Sequence, residues 1–159
     1  MKANESPVFM ELSEQETGTW THMWAFHSGI HSRLDSRLKQ EAGVSHVEYL
    51  VLYNLARAGE RRLRMSDLAQ ACHMTLSHFS RVITRLELQG MVARMPDSVD
   101  GRSTLAEITE QGSALLALAS PGFVSEVRSM VFDHLEPEES VALGNAMRKL
   151  ATAAVEHRS

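Results

Sequence analysis

Met65-Ser66-Asp67-Leu68-Ala69, then Thr75-Leu76-Ser77-His78-Phe79-Ser80-Arg81-Val82-Ile83-Thr84-Arg85-Leu86, then Val92-Ala93-Arg94, Asp100-Gly101-Arg102 and Leu105-Ala106-Glu107-Ile108-Thr109 carry the architecture of this chain. Ser66 is a good N-cap residue, and Leu68, Ala69 and Cys72 form the inward face of a helix barely two turns long. Thr75 or Ser77 opens a longer helix whose Phe79, Val82, Ile83 and Leu86 recur at helical spacing, until Gly90 stops it. Ser77, His78, Ser80, Arg81, Thr84 and Arg85 are left pointing elsewhere. Met91 to Met95 and Thr104 to Ile108 read as extended runs, and Pro96-Asp97-Ser98-Val99-Asp100-Gly101 between them has the chemistry of a turn. The order helix, turn, helix, hairpin predicts a winged helix-turn-helix.

The flanks are helical by the same reading. Trp20, Met23, Trp24, Ile30, Leu34 and Leu38 line one side of a helix from about Leu12 to Glu41, which Gly43 ends. Ser45 and Glu48 have the spacing of a capping box for a short helix that buries Val47, Leu50, Val51, Leu55 and Ala56 before Gly59. Beyond Thr109, a helix from Glu110 to about His134 carries Leu115, Leu116, Leu118, Val124, Val127, Val131 and Leu135 along or just beyond it, with Pro121-Gly122 expected to kink or interrupt it. Pro137 starts a last helix with Val141, Leu143, Met147 and Leu150. The fold class is therefore mainly α with a small β-hairpin wing. Three regions form one structural unit: 1–44 as an N-terminal helix, 45–110 as the helix-turn-helix lobe and 111–159 as C-terminal helices. These terminal helices carry more apolar surface than a lobe of this size can cover, so a second subunit is expected over them.

At 159 residues, with 43% apolar and 23% charged residues, the chain is long enough for one domain with its own core. Apolar runs are short and interrupted by charge, none approaching the roughly 20 residues needed to cross a bilayer. No basic start followed by an apolar core marks an export signal, and a lone cysteine excludes an intrachain disulfide, so the cytoplasm is the expected compartment. The net charge is −4, but between Arg57 and Arg102 eight arginines face five carboxylates, leaving that segment at +3 and the remainder at −7. A basic middle between acidic ends suits contact with phosphates. The bland alternative is that Arg61, Arg62 and Arg64 are solvated loop charges and the longer helix an ordinary amphipathic one.

Together these features resemble the MarR family of bacterial transcription regulators over nearly the whole chain. The resemblance rests on Leu68-Ala69, Ser80-Arg81, Arg85-Leu86 to Gly90, Arg94, Asp100-Gly101-Arg102 and Ile108-Thr109-Glu110-Gln111-Gly112. It implies a homodimer that binds double-stranded DNA at a pseudo-palindromic operator and represses a nearby gene, with affinity lowered by a small aromatic acid or other phenolic ligand. Position by position, it implies that Ser77, His78, Arg81 and Arg85 make major-groove and backbone contacts. Arg102 is then the wing arginine and Asp100 its positioning partner. Arg94 would start the wing, on a phosphate or bridged to Asp100.

Other chemistries are weaker. Trp20, Trp24, His27 and His31 share a stripe of the first helix that could sandwich an aromatic ring and pair with its carboxylate; the alternative is that they are packing residues. His27 and His31 are spaced to share a zinc ion, with Cys72-His73 as a distant source of further ligands, yet no paired-cysteine pattern supports a metal site and none is expected. Cys72 falls on an apolar face, where a thiol behaves as a small hydrophobe. No cofactor motif, glycine-rich phosphate loop or nucleophile elbow is present, which argues against an enzyme. A winged helix used only as a protein scaffold would have no need for Arg81, Arg85 and Arg102 on a common side.

Overall fold

The computed structural model describes residues 11–98, 100 and 103–156. Helix α1 (Glu14–Ala42) leads into α2 (His46–Arg57), a short strand β1 (Arg62–Arg64), α3 (Met65–Ala71) and α4 (Leu76–Leu88). Strands β2 (Val92–Pro96) and β3 (Thr104–Ile108) follow, then α5 (Glu110–Met130), a 3-10 turn (Phe132–His134) and α6 (Pro137–Glu156). The three strands form an antiparallel sheet in the order β1-β3-β2, with Leu63 opposite Ala106 and Arg94 opposite Ala106 from the other side. The expected hairpin is β2 and β3. The third strand was hidden in the Arg-rich link, because three residues are too few for an alternating pattern to register.

Local chemistry sets the element ends. Ser13 with Glu16 and Ser45 with Glu48 form capping boxes at the starts of α1 and α2. Gly43, at a left-handed φ of 69°, closes α1. At the end of α4 the Met91 N–H donates to Leu86 O and the Gly90 N–H to Glu87 O, each at 2.9 Å, which is a Schellman motif with Gly90 in the left-handed position. The turn between α3 and α4 repeats that motif, since the Met74 N–H bonds Ala69 O and the His73 N–H bonds Gln70 O. Here His73, at φ 54°, occupies the place that favours glycine. Helix α3 itself begins at Met65 with Arg64 in the cap position and no side-chain cap. The expected Ser66 cap is therefore corrected: β1 runs straight into the helix, and the Ser66 hydroxyl bonds its neighbour Asp67 instead.

The core sits where α2, α3, α4 and the sheet meet. Phe79, Ile83 and Leu86 of α4 close on Leu52, Leu55, Leu68 and Ala106, and all seven are fully buried. In α2 the buried face includes Glu48, Tyr49 and Leu52, whereas Ala56 is exposed and Val47 and Leu50 are only half-buried, so the expected face is rotated. The hydrophobic pattern alone could not assign an inward glutamate. Helix α5 packs along α1 and α2, placing Leu115, Leu116 and Phe123 against the core. It runs through Pro121 as one helix, so of the kink or interruption expected there the interruption does not occur.

A further correction concerns Glu110–His134, which is long and apolar enough to span a bilayer by length and composition. Residues 111–125 contain no charge, and their small residues break up apolar runs while keeping the average high. In the fold this helix is packed as a protein element, tied to α1 by ion pairs of Glu126 with Arg33 at 2.6 Å and with Arg37 at 4.0 Å.

Candidate nucleic-acid interface

Helix α4 is presented by its own N-cap and by its core face. The Thr75 hydroxyl accepts the His78 backbone N–H, fixing where the helix begins. With Phe79, Ile83 and Leu86 inward, the opposite ridge is Ser77, Arg81, Thr84 and Leu88, spaced four, three and four residues apart and all exposed. His78 and Ser80 flank that ridge and are also exposed. Among the described residues, no hydrogen bond or ion pair engages the Arg81 side chain or the His78 ring. An unpaired guanidinium beside small hydroxyls and an imidazole is a donor-rich surface. Such a surface can read base edges in a major groove.

The other cations are held by partners that spacing could not foresee. Arg85 places Nε 3.1 Å from Oε1 of Glu48, so the residue expected to face outward is tied to α2, although its side chain stays 63% exposed. Arg94 donates from Nη2 to Thr84 Oγ1 at 2.6 Å and lies with Nε 3.3 Å from Glu87 Oε2. The sequence left a phosphate or Asp100 open as the partner of Arg94; the carboxylate it meets within the chain is Glu87 on α4, because β2 runs back alongside that helix. Asp100 accepts the Ser103 hydroxyl on Oδ2 and the Ser103 N–H on its carbonyl, each at 2.8 Å, which shapes the turn. Arg102, the expected wing arginine, lies outside the described residues. Sequence reasoning missed three carboxylate anchors, Glu48, Glu87 and Asp97; the capping-box spacing of Glu48 was the one available signal.

The arginines between α2 and α3 also find local partners. Arg62 pairs with Glu60, Arg61 with Ser113 and Glu110, and Arg57 lies over the Tyr53 ring, its carbon 5.4 Å from the ring centre. Arg64 pairs with Asp97 at the base of the wing. Arg64 and Arg94 line a shallow groove between the start of α3 and the wing, together with Ser66, Ser103 and Thr104.

The stripe on α1 is not gathered into one site. Trp20 and Trp24 are 46% and 62% exposed, and the Trp24 ring lies tilted against His27 with ring centres 5.9 Å apart. His31 turns instead to His46 on α2, Nδ1 to Nδ1 at 3.3 Å. His27 and His31 therefore have different neighbours, and among the described residues no group of three or more His, Cys, Asp or Glu side chains is placed to hold a metal ion. The Cys72 thiol is half-buried, and burial pushes it up to about 11.

Comparison with known proteins agrees with this fold. Residues 42–103 match the sequence model of the MarR family. The chain is 31% identical over 113 residues, 71% of each protein, to the helix-turn-helix transcriptional regulator YxaD of Bacillus subtilis. Among solved structures it is similar to Sco3205, a MarR family transcriptional regulator from Streptomyces coelicolor in complex with DNA, with 36% identity and a TM-score of 0.87 over 94% of this chain and 92% of that one. It is also similar to AbsC from the same organism, at 30% identity and a TM-score of 0.86 over 91% of this chain and 97% of that one. These proteins are regulators rather than enzymes, and on this likeness the chain belongs to the MarR family of DNA-binding transcriptional regulators.

Proposed function

We propose that the protein is a homodimeric repressor that reads an inverted repeat through the outward ridge of α4. Ser77, His78 and Arg81 enter the major groove, Arg85 and Arg94 meet the phosphate backbone, and Arg102, with Asp100, carries the wing to the minor groove. The observation that carries this reading is the exposed, unpaired Arg81 on a helix whose other face is locked in the core. A two-fold axis sets two such helices about one DNA turn, roughly 34 Å, apart.

The terminal helices supply the dimer surface. Helix α6 contains no buried residue among those described, and it exposes Val141, Met147 and Leu150. Trp20, Trp24 and Phe26 of α1 and Phe132 beyond α5 are uncovered as well. So much apolar surface on the terminal elements fits a second copy laid against them. Light scattering tests it: the mass is twice the 17.7 kDa of one chain, and a strict monomer removes the basis for paired half-sites.

Release by an effector is the third part of the reading. A small aromatic acid would stack on Trp20 and Trp24 and pair its carboxylate with His27 or His31, once the partner subunit closes over that stripe. Titrating the dimer with benzoate or a phenol and following tryptophan emission checks this. A response that is absent, or calorimetric binding of the same compound that persists in Trp20→Ala and Trp24→Ala together, contradicts it.

A further inference from the structure

Glu48 is the one carboxylate of α2 and sits almost wholly inside the lobe, 2% exposed. A carboxylate taken out of water is costly unless each oxygen is matched. Here Oε2 accepts both the Ser45 N–H and the Ser45 hydroxyl at 2.7 Å, and Oε1 faces Arg85 Nε at 3.1 Å. The base of this arrangement is itself fixed, because the next backbone N–H, that of His46, donates to Asp35 Oδ1 on α1 at 3.0 Å. Glu48 is thus a rigid acceptor aimed at the last turns of α4.

What it holds is the inner edge of a guanidinium. Nε is the Arg85 atom that lies nearest Glu48, in an ion pair set by distance rather than a directed hydrogen bond, and among the described residues neither terminal nitrogen has a partner. Arg85 lies one turn beyond Arg81 on the same helix, so its two free nitrogens border the ridge proposed to enter the groove. A guanidinium fixed at one edge keeps a planar fork of donors at the other, which suits a phosphate; an ammonium gathers its three donors on one nitrogen and offers no separate fork.

We infer that Glu48 is a positioning residue for DNA recognition, which holds Arg85 by its Nε so that the terminal nitrogens are presented to a backbone phosphate. The inference rests on the proposed docking of α4. It assigns a role to a buried residue that touches no DNA itself.

The experiment titrates the full-length protein onto the operator duplex at several salt concentrations, for wild type, Glu48→Gln, Arg85→Gln, Arg85→Lys and the double variant Glu48→Gln/Arg85→Gln, with Arg81→Ala as a reference. Glu48→Gln keeps the shape of the cap but loses the charge that orients Arg85. It is expected to weaken binding about tenfold and to reduce the salt slope by about one. Arg85→Gln and Arg85→Lys give the same losses, and the double variant is no weaker than Arg85→Gln. A wild-type slope in Glu48→Gln, or losses that multiply in the double variant, overturns the inference, because a purely structural Glu48 would act independently of Arg85. Should Glu48→Gln fail to fold, Glu48→Asp, which keeps the charge but withdraws it from Arg85, takes its place: a reduced slope supports the inference, and wild-type affinity and slope overturn it. Loss in Arg81→Ala with no change in Glu48→Gln and Arg85→Lys overturns this inference only, whereas no change in any of them overturns the docking of α4 itself.

Discussion

Arg64 grips Asp97 with two nitrogens, Nε and Nη2 each lying 2.9 Å from the same carboxylate oxygen, Oδ2. Asp97 is 7% exposed and follows β2 directly, so this contact pins the root of the wing to β1 and to the start of α3. The wing and the helix-turn-helix are therefore one rigid body at this point. That rigidity is what lets a wing and a recognition helix meet one duplex together.

Asp97→Ala removes the anchor and leaves Arg64 free at the groove it shares with Arg94. Because Arg64 is itself 44% exposed, the loss of stability is moderate, about 1–2 kcal/mol. The larger effect is on binding, since the wing is no longer registered with α4. Thermal melts and operator titration of the same preparation measure both; full operator affinity in Asp97→Ala would contradict the role given to the anchor.

Gly112 has no room for a side chain. A Cβ there would lie 2.2 Å from the Met91 carbonyl oxygen and 2.9 Å from Ile108 Cγ1, where α5 leaves the sheet. Gly112→Ala is expected to cost about 1–3 kcal/mol, because the obstacle is backbone and cannot turn aside. Gly29→Ala in α1, where a Cβ would meet nothing within 4 Å, gains about 0.5–1 kcal/mol of helix propensity instead. Denaturant midpoints of the two variants should move in opposite directions.

His73 sits in the left-handed position of the turn between α3 and α4. His73→Gly removes the steric cost and loosens the unfolded chain, so it is neutral or stabilising by up to about 1 kcal/mol. His73→Val, with a branched Cβ at positive φ, loses about 1 kcal/mol or more. Equal stability of the two variants would mean that the turn does not keep this conformation.

The His31 and His46 pair makes stability depend on pH. Burial pushes the His46 imidazole below its ordinary value of 6.5, a charge on His31 pushes the same way, and Asp35 opposes both. The folded chain therefore holds fewer protons here than the unfolded one. Stability is full above 6.5 and falls as the pH drops through that value toward the lower folded one. Melting temperature is expected to fall between about pH 7.5 and 5.5, and His46→Gln to flatten that fall. An unchanged pH profile in His46→Gln would place the dependence elsewhere.

Much of this architecture was legible in the chain because it is written in short-range chemistry. Ser45 and Thr75 cap helices through side chains three residues from their partners, and Gly43 and Gly90 end helices by a backbone conformation that other residues resist. The apolar spacing of Phe79, Ile83 and Leu86 fixed which face of α4 is free. Partner choice among charges was not legible: Arg85 with Glu48, 37 positions away, and Arg64 with Asp97, 33 away, depend on how the helices and sheet pack. Strand β1 escaped notice since it exists only by pairing with β3. The stripe of Trp20, Trp24, His27 and His31 was visible as a pattern, but spacing could not show that His31 turns to His46 while Trp24 lies by His27.

The most direct test of the account is a methylation-protection footprint of the protein on the DNA immediately upstream of its own coding region. The account predicts two patches of major-groove protection related by an inverted repeat, with centres about 10–10.5 base pairs apart, that both disappear in Arg81→Ala. A single patch, or an unchanged footprint in Arg81→Ala, would contradict it.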